Sequence, residues 1–530
     1  MPTLTWIGKD KVVNHHQEVP YRVLEHQYGF RAEDTDDKTP TNSGNKIIHG
    51  DNLEALKSLL PEYEGRVKCI YIDPPYNTGN EKWVYNDNVN DPKIKKWLGE
   101  VVGKQGEDLS RHDKWLCMMY PRLKLLHKLL AEDGAIFISI DDNEQANLRL
   151  LCDEILGVNN FIGNIIWQKK YTQSNDAKYL SSTHDFILCY TKNKEIFRFN
   201  LLERNEEQLK AYKNPDNDPR GVWMSQPIQV KTPSEAYIYE IKTPKGNSFF
   251  PPKGRSWQFS RERYDDLVQD NRIWFGEDGN NVPRIKKFLS EVKDGVIPKT
   301  IWLHDEVSHN DEAKRAMKVI LPNNIFDTPK PTKLIERILQ IATNRDSIVL
   351  DSFAGSGTTA HAVLNLNKKD DGNRKFILVE MEDYAENITA ERVRRVMKGY
   401  GEGKNAVAGT GGAFDYYELG ERMFDENQNL NENIGEEKIR EYIYYTETKR
   451  HLERERTEVA KYLLDTYNAT GYYFYYEKDC LTTLSIDTLH IVTERAEQYV
   501  IYADICTVPP QVMAAQNIIF KKIPRDIKRF

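Results

Sequence analysis

The sequence predicts an α/β protein in which a parallel sheet is interrupted by an inserted domain and followed by an α+β segment. Short apolar runs rich in β-branched and aromatic residues alternate with helical apolar patterns over residues 45–199 and again over residues 334–398. Strands that alternate with helices in this way are typical of right-handed βαβ units in a parallel sheet. Between the two regions the alternation stops, which predicts that another domain is inserted there.

The composition narrows the class of protein. The 530 residues suffice for about three to four domains, and 39% hydrophobic with 29% charged residues indicate an ordered, soluble chain. No window is apolar enough for a membrane helix and the N-terminus has no apolar signal core, so we expect a cytoplasmic protein without a membrane partner. The six cysteines include no C-x-x-C pair, so we predict neither a metal site nor a disulfide framework.

The elements of the first region follow from their local patterns. Runs such as VKCIYI and GAIFISI predict buried strands, because β-branched and aromatic residues favour a pleated, buried surface. The run KWLCMMYPRLKLLHKLL has helical apolar spacing instead. The same criteria predict strands over residues 45–50, 67–72, 134–140, 161–168 and 186–191. They predict helices over residues 52–60, 114–130 and 143–156.

The rest of the chain divides at changes in composition. Between residues 200 and 323, Pro, Gly, Asn and basic residues become frequent, as in KNPDNDPRG and PPKGRS, and these residues favour turns. The alternation resumes with helices predicted over residues 334–342, 358–367 and 385–398 and strands over 347–350 and 376–379. After the glycine-rich stretch GYGEGKNAVAGTGG, a helical run is predicted over 436–466, with strands in GYYFYY and YVIYADI. The predicted domains cover residues 1–199, 200–323, 324–400 and 401–530.

The first candidate site is Asp73-Pro74-Pro75-Tyr76, which follows directly on a predicted strand. Ligands in open α/β sheets bind at the carboxyl ends of strands. The two prolines fix φ and remove two N–H donors, so the main-chain carbonyls of the loop are left as acceptors. Asp73 adds a charged acceptor, and Tyr76 offers a flat face for a planar heterocycle. These four residues are candidate catalytic residues that hold an exocyclic amine; the alternative is a proline-rich turn without a ligand.

The second candidate site is the glycine-rich loop DSFAGSGTT, residues 351–359, between a predicted strand and a predicted helix. Glycines after a parallel strand let the main chain approach a ligand, and the helix N-terminus presents free N–H groups. The Lys of a phosphate-binding P-loop is missing, which argues against an ATP-driven motor. Glu380 ends the next strand, where a carboxylate can accept hydrogen bonds from ribose hydroxyls; the alternative is an ordinary surface acid. The candidate cofactor-binding residues are Asp351, Phe353, Ala354, Gly355, Gly357, Thr358 and Glu380.

Residues 241–264, which we call the basic segment, combine six cations with one anion and five interleaved aromatic residues. This mixture suits contacts with phosphates and stacking on bases, although the net charge of −7 argues against a chain that is basic everywhere. The alternative is a solvated β-hairpin whose aromatic residues belong to a core. The candidate nucleic-acid-binding residues are Lys242, Lys245, Lys253, Arg255, Trp257, Arg261 and Arg263.

DPPY together with FAGSGT resembles the S-adenosylmethionine-dependent amino methyltransferases of DNA, in which the first motif holds the target amine and the second binds the cofactor. The order of the motifs resembles the β class, which implies a circularly permuted, Rossmann-like methyltransferase sheet. The strands that end at Asp51 and Asp73 would be the third and fourth, and those that end at Asp351 and Glu380 the first and second. Asp51 would then lie beside the adenine of the cofactor.

Two further sets of residues carry the resemblance. Thr328-Pro329-Lys330-Pro331 is similar to the TxKP element of the β class near the methionine carboxylate, which adds Thr328 and Lys330 to the cofactor-binding candidates, with Lys330 as a counter-ion. Nearly the whole chain resembles a narrower group, the Mod subunits of type III restriction-modification systems. The segments that carry this likeness are DPPYNTGN, GEDLSRHDKWLCMMYPRL, FISIDDNE, FDTPKP and KKIPRDI.

The resemblance implies methylation of N6 of an adenine flipped out of double-stranded DNA, because DPPY is associated with N6-adenine and SPPY with N4-cytosine. It implies that residues 200–323 recognise the target sequence and that residues 401–530 mediate homodimerisation. It also implies a separately encoded Res motor-nuclease partner and a place at the nucleoid of a prokaryotic cytoplasm. An orphan methyltransferase without a nuclease, N4-cytosine methylation and an RNA substrate stay open as alternatives.

Overall fold

The computed structural model describes residues 4–33, 39–78, 111–173, 177–323, 326 and 328–525. The chain folds into two compact units, of which the first comprises Met1–Asn200 with Lys299–Phe530 and the second comprises Leu201–Pro298. Parts of the motifs that resemble the Mod subunits lie outside the described residues, namely residues 79, 80, 106–110, 327, 526 and 527. No helix in the described ranges is long and apolar enough to cross a membrane.

The strands are numbered along the chain. Before the second unit they are β1 (Arg22–Arg31), β2 (Lys46–His49), β3 (Val67–Ile72), β4 (Leu130–Ile140), β5 (Phe161–Gln168) and β6 (His184–Thr191). The second unit contains β7 (Trp223–Pro227), β8 (Gln229–Val230), β9 (Ile241–Lys242), β10 (Ser248–Phe249), β11 (Ser256–Trp257), β12 (Ile273–Trp274) and β13 (Arg284–Phe288). It is followed by β14 (Ile301–Trp302), β15 (Ile348–Asp351), β16 (Lys375–Glu380), β17 (Gly399–Tyr400), β18 (Val407–Ala408) and β19 (Ala413–Arg422). The C-terminal strands are β20 (Leu463–Tyr467), β21 (Thr470–Phe474), β22 (Thr483–Leu484), β23 (Gln498–Ala503), β24 (Ile505–Cys506) and β25 (Ile518–Lys522).

The α-helices of the first unit before the insertion are α1 (Lys9–Val12), α2 (His15–Glu18), α3 (Asn52–Tyr63), α4 (Arg111–Leu129) and α5 (Gln145–Cys152). The second unit contains α6 (Glu206–Lys210) and α7 (Arg261–Gln269). The remaining helices are α8 (His304–Val307), α9 (Asn310–Ile320), α10 (Thr332–Ala342), α11 (Thr358–Asp370), α12 (Glu391–Lys398), α13 (Glu436–Thr448) and α14 (Pro510–Ala515). Wider π-helical turns cover Asp153–Gly157 and Ala385–Ala390.

Within the described residues, a ten-stranded sheet forms the centre of the first unit, in the order β1-β19-β2-β16-β15-β3-β4-β6-β5-β14. The strands from β19 to β4 in this order are parallel to their neighbours. In contrast, β6 is antiparallel to β4 and β5, and β1 is antiparallel to β19, so the sheet is mixed rather than wholly parallel. Because β2, β3, β15 and β16 are parallel, the loops at their carboxyl ends share one edge of the sheet.

Apolar residues bury this sheet in the pattern that the sequence predicts. In β3, Cys69, Ile70 and Ile72 are 0% exposed, and in α10 the same holds for Leu334 and Ile338, which lie four residues apart on one helix face. Burial of a Leu or Ile side chain contributes roughly 1.5–3 kcal/mol each. The strands whose carboxyl ends carry the candidate sites are therefore part of a well-packed core.

Several elements differ from the sequence prediction. The helix expected over residues 436–466 ends at Thr448, and that expected over 385–398 begins as a π-helical turn. Strand β19 joins the central sheet next to β2, so the sheet extends past the predicted boundary at residue 400. The second unit ends at Pro298, whereas the insertion was predicted to reach residue 323, because β14 pairs with β5 of the central sheet. Pairing between distant segments sets both boundaries, and composition does not reveal it.

The second unit has a small core of its own. β13 pairs with β7 and β12, β9 with β10, and β8 with β11. The core includes Ile228, Trp257 and Phe275. Lys286 is 0% exposed and forms ion pairs with Asp216 and Asp218, so this buried charge is neutralised.

Candidate active site

The DPPY loop leaves β3 at the carboxyl edge of the sheet. Trp115 of α4 donates its indole N–H to the Pro75 carbonyl at 2.7 Å, which fixes the second proline and leaves the Pro74 carbonyl as the other main-chain acceptor of the motif. Asp73 forms an ion pair with Lys330 through Oδ2. The ammonium group of Lys330 also lies 5.0 Å from the ring centroid of Tyr76. Lys330 therefore already contacts both side chains that the sequence assigns to the target base.

Asn77 fixes the end of this loop. Its φ of 59° lies in the left-handed region, which Asn adopts more readily than most residues. Its amide donates to the Arg111 carbonyl at 3.3 Å and to Glu144 Oε1. Glu144 is 0% exposed and has two more partners: His112 Nδ1 lies 2.6 Å from Oε1, and the Asn147 amide donates to Oε2 at 2.8 Å. Sequence reasoning missed the role of Glu144, although it lies in the quoted segment FISIDDNE.

The glycine-rich loop has a main-chain shape that other residues hold in place. Gly355 donates its N–H to Glu380 Oε2 at 2.7 Å, and Thr389 Oγ1 donates to the Gly355 carbonyl at 2.6 Å. Gly357 has a φ of 77°, and a Cβ atom there would lie 3.0 Å from the Thr389 carbonyl oxygen. This position therefore requires glycine, for its left-handed conformation and for its close approach to Thr389.

Two buried carboxyl groups lie beneath this loop. Asp351 Oδ1 accepts from the Phe353 N–H at 3.0 Å, and its Oδ2 accepts from Thr359 Oγ1 at 2.5 Å. Glu380 Oε1 accepts from the Glu382 N–H at 3.0 Å. Burial raises the pKa of both Asp351 and Glu380 to about 7. Glu380 thus organises the loop in addition to any contact with a ligand.

Asp51 lies at the same edge, after β2, and caps helix α3. Its Oδ1 accepts from the N–H groups of Leu53 at 2.9 Å and Glu54 at 3.1 Å, and Arg122 Nη2 lies 3.5 Å from Oδ2. Such a cap stabilises a helix by about 1 kcal/mol. Arg122 also donates to Asn52 Oδ1 at 2.6 Å, and sequence reasoning missed this buried arginine. Asp51 therefore has a structural role whether or not it also contacts a ligand.

One cleft brings most of the predicted residues together. It joins Asp73 of the DPPY motif, the TxKP element and the glycine-rich loop, and it holds about 300 Å³ of space that is partly open to solvent. The lining residues are Tyr71, Asp73, Phe326, Thr328, Pro329, Lys330, Asp351, Phe353, Ala354, Gly355, Ser356, Thr358 and Thr359. Six predicted catalytic or cofactor-binding residues are not among the lining residues: Asp51, Pro74, Pro75, Tyr76, Gly357 and Glu380.

A family model described as DNA methylase, N6_N4_Mtase, matches residues 67–391, a range that contains both the DPPY motif and the glycine-rich loop. The chain belongs to this DNA methylase family. The StyLTI Mod subunit of a type III restriction-modification enzyme from Salmonella typhimurium is 40% identical over 365 residues, covering 66% of this chain and 54% of the relative. The EcoPI Mod subunit from Escherichia phage P1 is 34% identical, with 64% and 58% covered.

Other relatives are shorter. The type II methyltransferase M.KpnI from Klebsiella pneumoniae is 31% identical, covering 67% of this chain and 84% of the relative. Among solved structures, the cytosine-N4-specific PvuII DNA methyltransferase is 14% identical, covers 66% of this chain and 86% of its own, and has a TM-score of 0.35. The matches span little more than half the length of the two Mod subunits.

Besides Glu144, sequence reasoning missed another buried carboxyl group. Asp185, near the start of β6, is 3% exposed and forms an ion pair with Lys169. Burial raises its pKa to about 6, while the neighbouring cations Lys169 and Lys330 oppose that shift. The antiparallel pairing of β6 with β4 brings Asp185 to the carboxyl edge, and nothing in the sequence indicates this pairing.

The residues of the basic segment differ in exposure. Lys242, Lys245, Lys253 and Arg255 are exposed and form no ion pair with a described residue. Arg261 pairs with Asp265, and Arg263 with Asp266.

Trp257 is 1% exposed, and its indole donates to the Tyr239 carbonyl at 2.8 Å. The expectation that Trp257 contacts nucleic acid is therefore wrong in this fold, because the residue packs the core of the second unit. Sequence alone does not separate a core aromatic residue from a stacking one in a two-residue strand.

Proposed function

We propose that this chain is a site-specific DNA methyltransferase that transfers a methyl group from S-adenosylmethionine to N6 of adenine in double-stranded DNA. The observation that carries the proposal is the single cleft in which Asp73 of DPPY lies with Phe353 and Gly355 of the glycine-rich loop. Membership of the DNA methylase family supports the reaction class. Asp at the first position of the motif, rather than Ser, favours adenine over cytosine.

The residues of the cleft fit the cofactor. The buried acceptor Glu380 bonds directly to the loop at Gly355, where ribose hydroxyls need an acceptor. The apolar rings of Phe326 and Phe353 line the wall, and the hydroxyls of Thr328, Ser356 and Thr358 add donors. Such a mixture of apolar walls and a few polar groups is typical of a small-molecule site.

Asp73, the Pro74 carbonyl and Tyr76 would hold the target base, flipped out of the duplex. Two acceptors that bind the hydrogens of the N6 amine favour the pyramidal form, in which its lone pair can attack. When bound, the cofactor supplies an electrophilic methyl group on a sulfonium. N6 would lose one proton as it takes the methyl group from the sulfonium, and Asp73 would accept that proton.

Lys330 must respond when the base enters. In the structure its ammonium group bonds Asp73 and lies over one face of the Tyr76 ring, and the proposal takes this face as the one on which the base stacks. A base can use that face only after Lys330 moves aside, and the amine of the base then replaces the ammonium as the donor to Asp73. Lys330 thus keeps Asp73 partnered until the target arrives.

Further parts of the proposal concern topology and partners. The spatial order β2-β16-β15-β3 supports a circularly permuted sheet, in which β15 and β16 are the first two strands and β2 and β3 the third and fourth. We assign target recognition to the second unit and homodimerisation to the C-terminal region. The identity of 40% with the StyLTI Mod subunit supports a modification subunit of a type III system, with a Res motor-nuclease as partner.

A labelled-methyl assay on matched DNA and RNA, followed by digestion to nucleosides, tests the activity. We expect N6-methyladenine from duplex DNA in the presence of S-adenosylmethionine. Label in N4-methylcytosine, or in RNA alone, would contradict the proposal. Mapping methylated positions in cells with and without the gene gives the target sequence.

Purification from the native host tests the partner. A motor-nuclease subunit that elutes with this chain supports the type III assignment. A chain that always elutes alone with methylation intact supports an orphan methyltransferase instead.

A further inference from the structure

Arg392, near the start of α12, is a buried cation that no carboxylate of the described residues neutralises. It is 2% exposed, and its Nη1 donates to Ser356 Oγ and Thr358 Oγ1, both at 2.8 Å. Its Nη2 lies 3.2 Å from His361 Nδ1 and 3.3 Å from Thr332 Oγ1. All four partners are neutral. Three are hydroxyl groups, and burial together with Arg392 lowers the pKa of the fourth, His361, well below its usual range.

The charge on Arg392 persists at neutral pH. Burial lowers the pKa of Arg392 to about 10, which still leaves the guanidinium protonated. Its Nε has no hydrogen-bond partner in the part of the chain that the structure describes. A buried cation without a counter-ion is unfavourable, and a nearby anion offsets that cost. The surroundings of Arg392 therefore favour the binding of a negative charge.

Ser356 and Thr358 connect Arg392 to the cleft, because both line its wall. A hydroxyl that accepts a hydrogen bond from a guanidinium keeps its own hydrogen for a second partner. In the structure these hydrogens have long contacts only: Ser356 Oγ lies 3.3 Å from Thr358 Oγ1, which lies 3.3 Å from the Lys330 carbonyl. A carboxylate in the cleft would be a stronger acceptor for both hydroxyls.

We propose that Arg392 is a positioning residue for the amino-acid carboxylate of S-adenosylmethionine and acts through the hydroxyls of Ser356 and Thr358. The inference rests on the proposed function, because it requires this cofactor in the cleft. It also revises the role that the resemblance gives to Lys330. Lys330 lines the same cleft, but its ammonium group is already paired with Asp73, so Arg392 supplies an unpaired positive charge behind the glycine-rich loop.

Two nucleosides that differ at the amino-acid end separate this role from a structural one. S-adenosylhomocysteine carries the carboxylate, whereas 5′-deoxy-5′-methylthioadenosine keeps the adenosine and the thioether without it. We expect Arg392→Met in the full chain to weaken S-adenosylhomocysteine binding by about tenfold or more and methylthioadenosine binding by at most about twofold. Arg392→Lys, which keeps the charge, should restore part of the affinity. Titration calorimetry measures the affinity of each Arg392 variant, and of the wild type, for both nucleosides.

Thr358→Val gives a second test that keeps Arg392 in place, and it decides the matter if Arg392→Met does not fold in a thermal melt. It should weaken S-adenosylhomocysteine binding selectively. Lys330→Met removes the rival counter-ion and should not cause this selective loss, and the exposed Lys333→Met serves as the control. The proposal is overturned if Thr358→Val and a folded Arg392 variant affect both nucleosides equally or neither. A selective loss in Lys330→Met alone also overturns it. Wild-type protein that binds neither nucleoside contradicts the proposed function instead.

Discussion

The cleft of the first unit and the basic segment of the second unit are predicted from the sequence in similar detail, yet they are built differently. In the cleft, the site residues already hold one another: Glu380 accepts from Gly355, and Asp73 pairs with Lys330. In the basic segment, Lys253 and Arg255 are exposed and pair with no described residue. Cleft residues are therefore held in position by one another, whereas four of the six cations of the basic segment are exposed and have no ion pair with a described residue.

This difference has consequences for mutation. A side chain held by several buried bonds affects both stability and chemistry when it is removed, because its partners are left unsatisfied. Removal of an exposed cation affects only the long-range attraction to nucleic acid and the contacts with its phosphates. Variants in the two regions should therefore differ in which quantity changes and by how much.

The largest effect is expected at Asp73. Asp73→Ala should lower the methylation rate by about 10²–10³-fold, because the N6 amine loses its charged acceptor. Binding of S-adenosylhomocysteine, measured by titration calorimetry, should stay close to that of the wild type. The exposed Asp142→Ala is the matched control and should change neither quantity. An Asp73→Ala protein that methylates at the wild-type rate would remove Asp73 from the catalytic residues.

The next effect concerns the support behind the cleft. Glu144→Ala should lower the free energy of unfolding by about 2–3 kcal/mol, because the buried amide of Asn77 and the partly buried amide of Asn147 lose their acceptor. Urea denaturation measures this change, and methylation should also fall because Asn77 ends the DPPY loop. Glu195→Ala, at an exposed position of the same unit, serves as the control. Equal stability of the two variants would show that the buried contacts of Glu144 contribute little.

The sequence predicts the site best where main-chain geometry forces residue identity. Gly357 must be glycine because of its positive φ and its contact with Thr389, and the two prolines of DPPY leave few conformations for the loop. The strands that end at these motifs are apolar throughout, which is readable from sequence. The cleft could therefore be assembled from motif positions and the parallel order of strands.

The sequence fails where an outcome depends on partners far along the chain. Asp185 reaches the carboxyl edge only because β6 pairs antiparallel to β4, and the second unit ends at Pro298 because β14 pairs with β5. Arg392 and Glu144 look like ordinary charged helix residues until their buried partners are known. Trp257 was misassigned because a short strand gives no periodicity that would show which face is buried.

A pH dependence should distinguish the buried acids of the cleft from exposed ones. Burial raises the pKa of Glu380 from 4.5 to about 7, so between these values the native protein holds a proton that the unfolded chain has released. The free energy of unfolding should therefore fall by about 3 kcal/mol for this group as pH rises from about 4.5 to about 7, and level off above that range.

Glu380→Gln removes this titration and should flatten the decrease, while Asp351, whose pKa is also raised to about 7, keeps part of it. Urea denaturation at a series of pH values measures the slope. The exposed Glu195→Gln should leave the slope as in the wild type. A Glu380→Gln profile that follows the wild type would mean that Glu380 titrates near its ordinary value.

The smallest effects are expected in the basic segment. Lys253→Ala and Arg255→Ala should each reduce the slope of log affinity for DNA against log salt concentration by about one, because each removes one phosphate contact. Neither variant should change which sequence is methylated, since phosphate contacts carry no base information. Lys287→Ala, an exposed cation of the same unit outside the segment, is the control and should leave the slope unchanged. Fluorescence anisotropy at several salt concentrations gives the slopes. If both variants bind DNA as the wild type does, the basic segment is a folded hairpin without a role in binding.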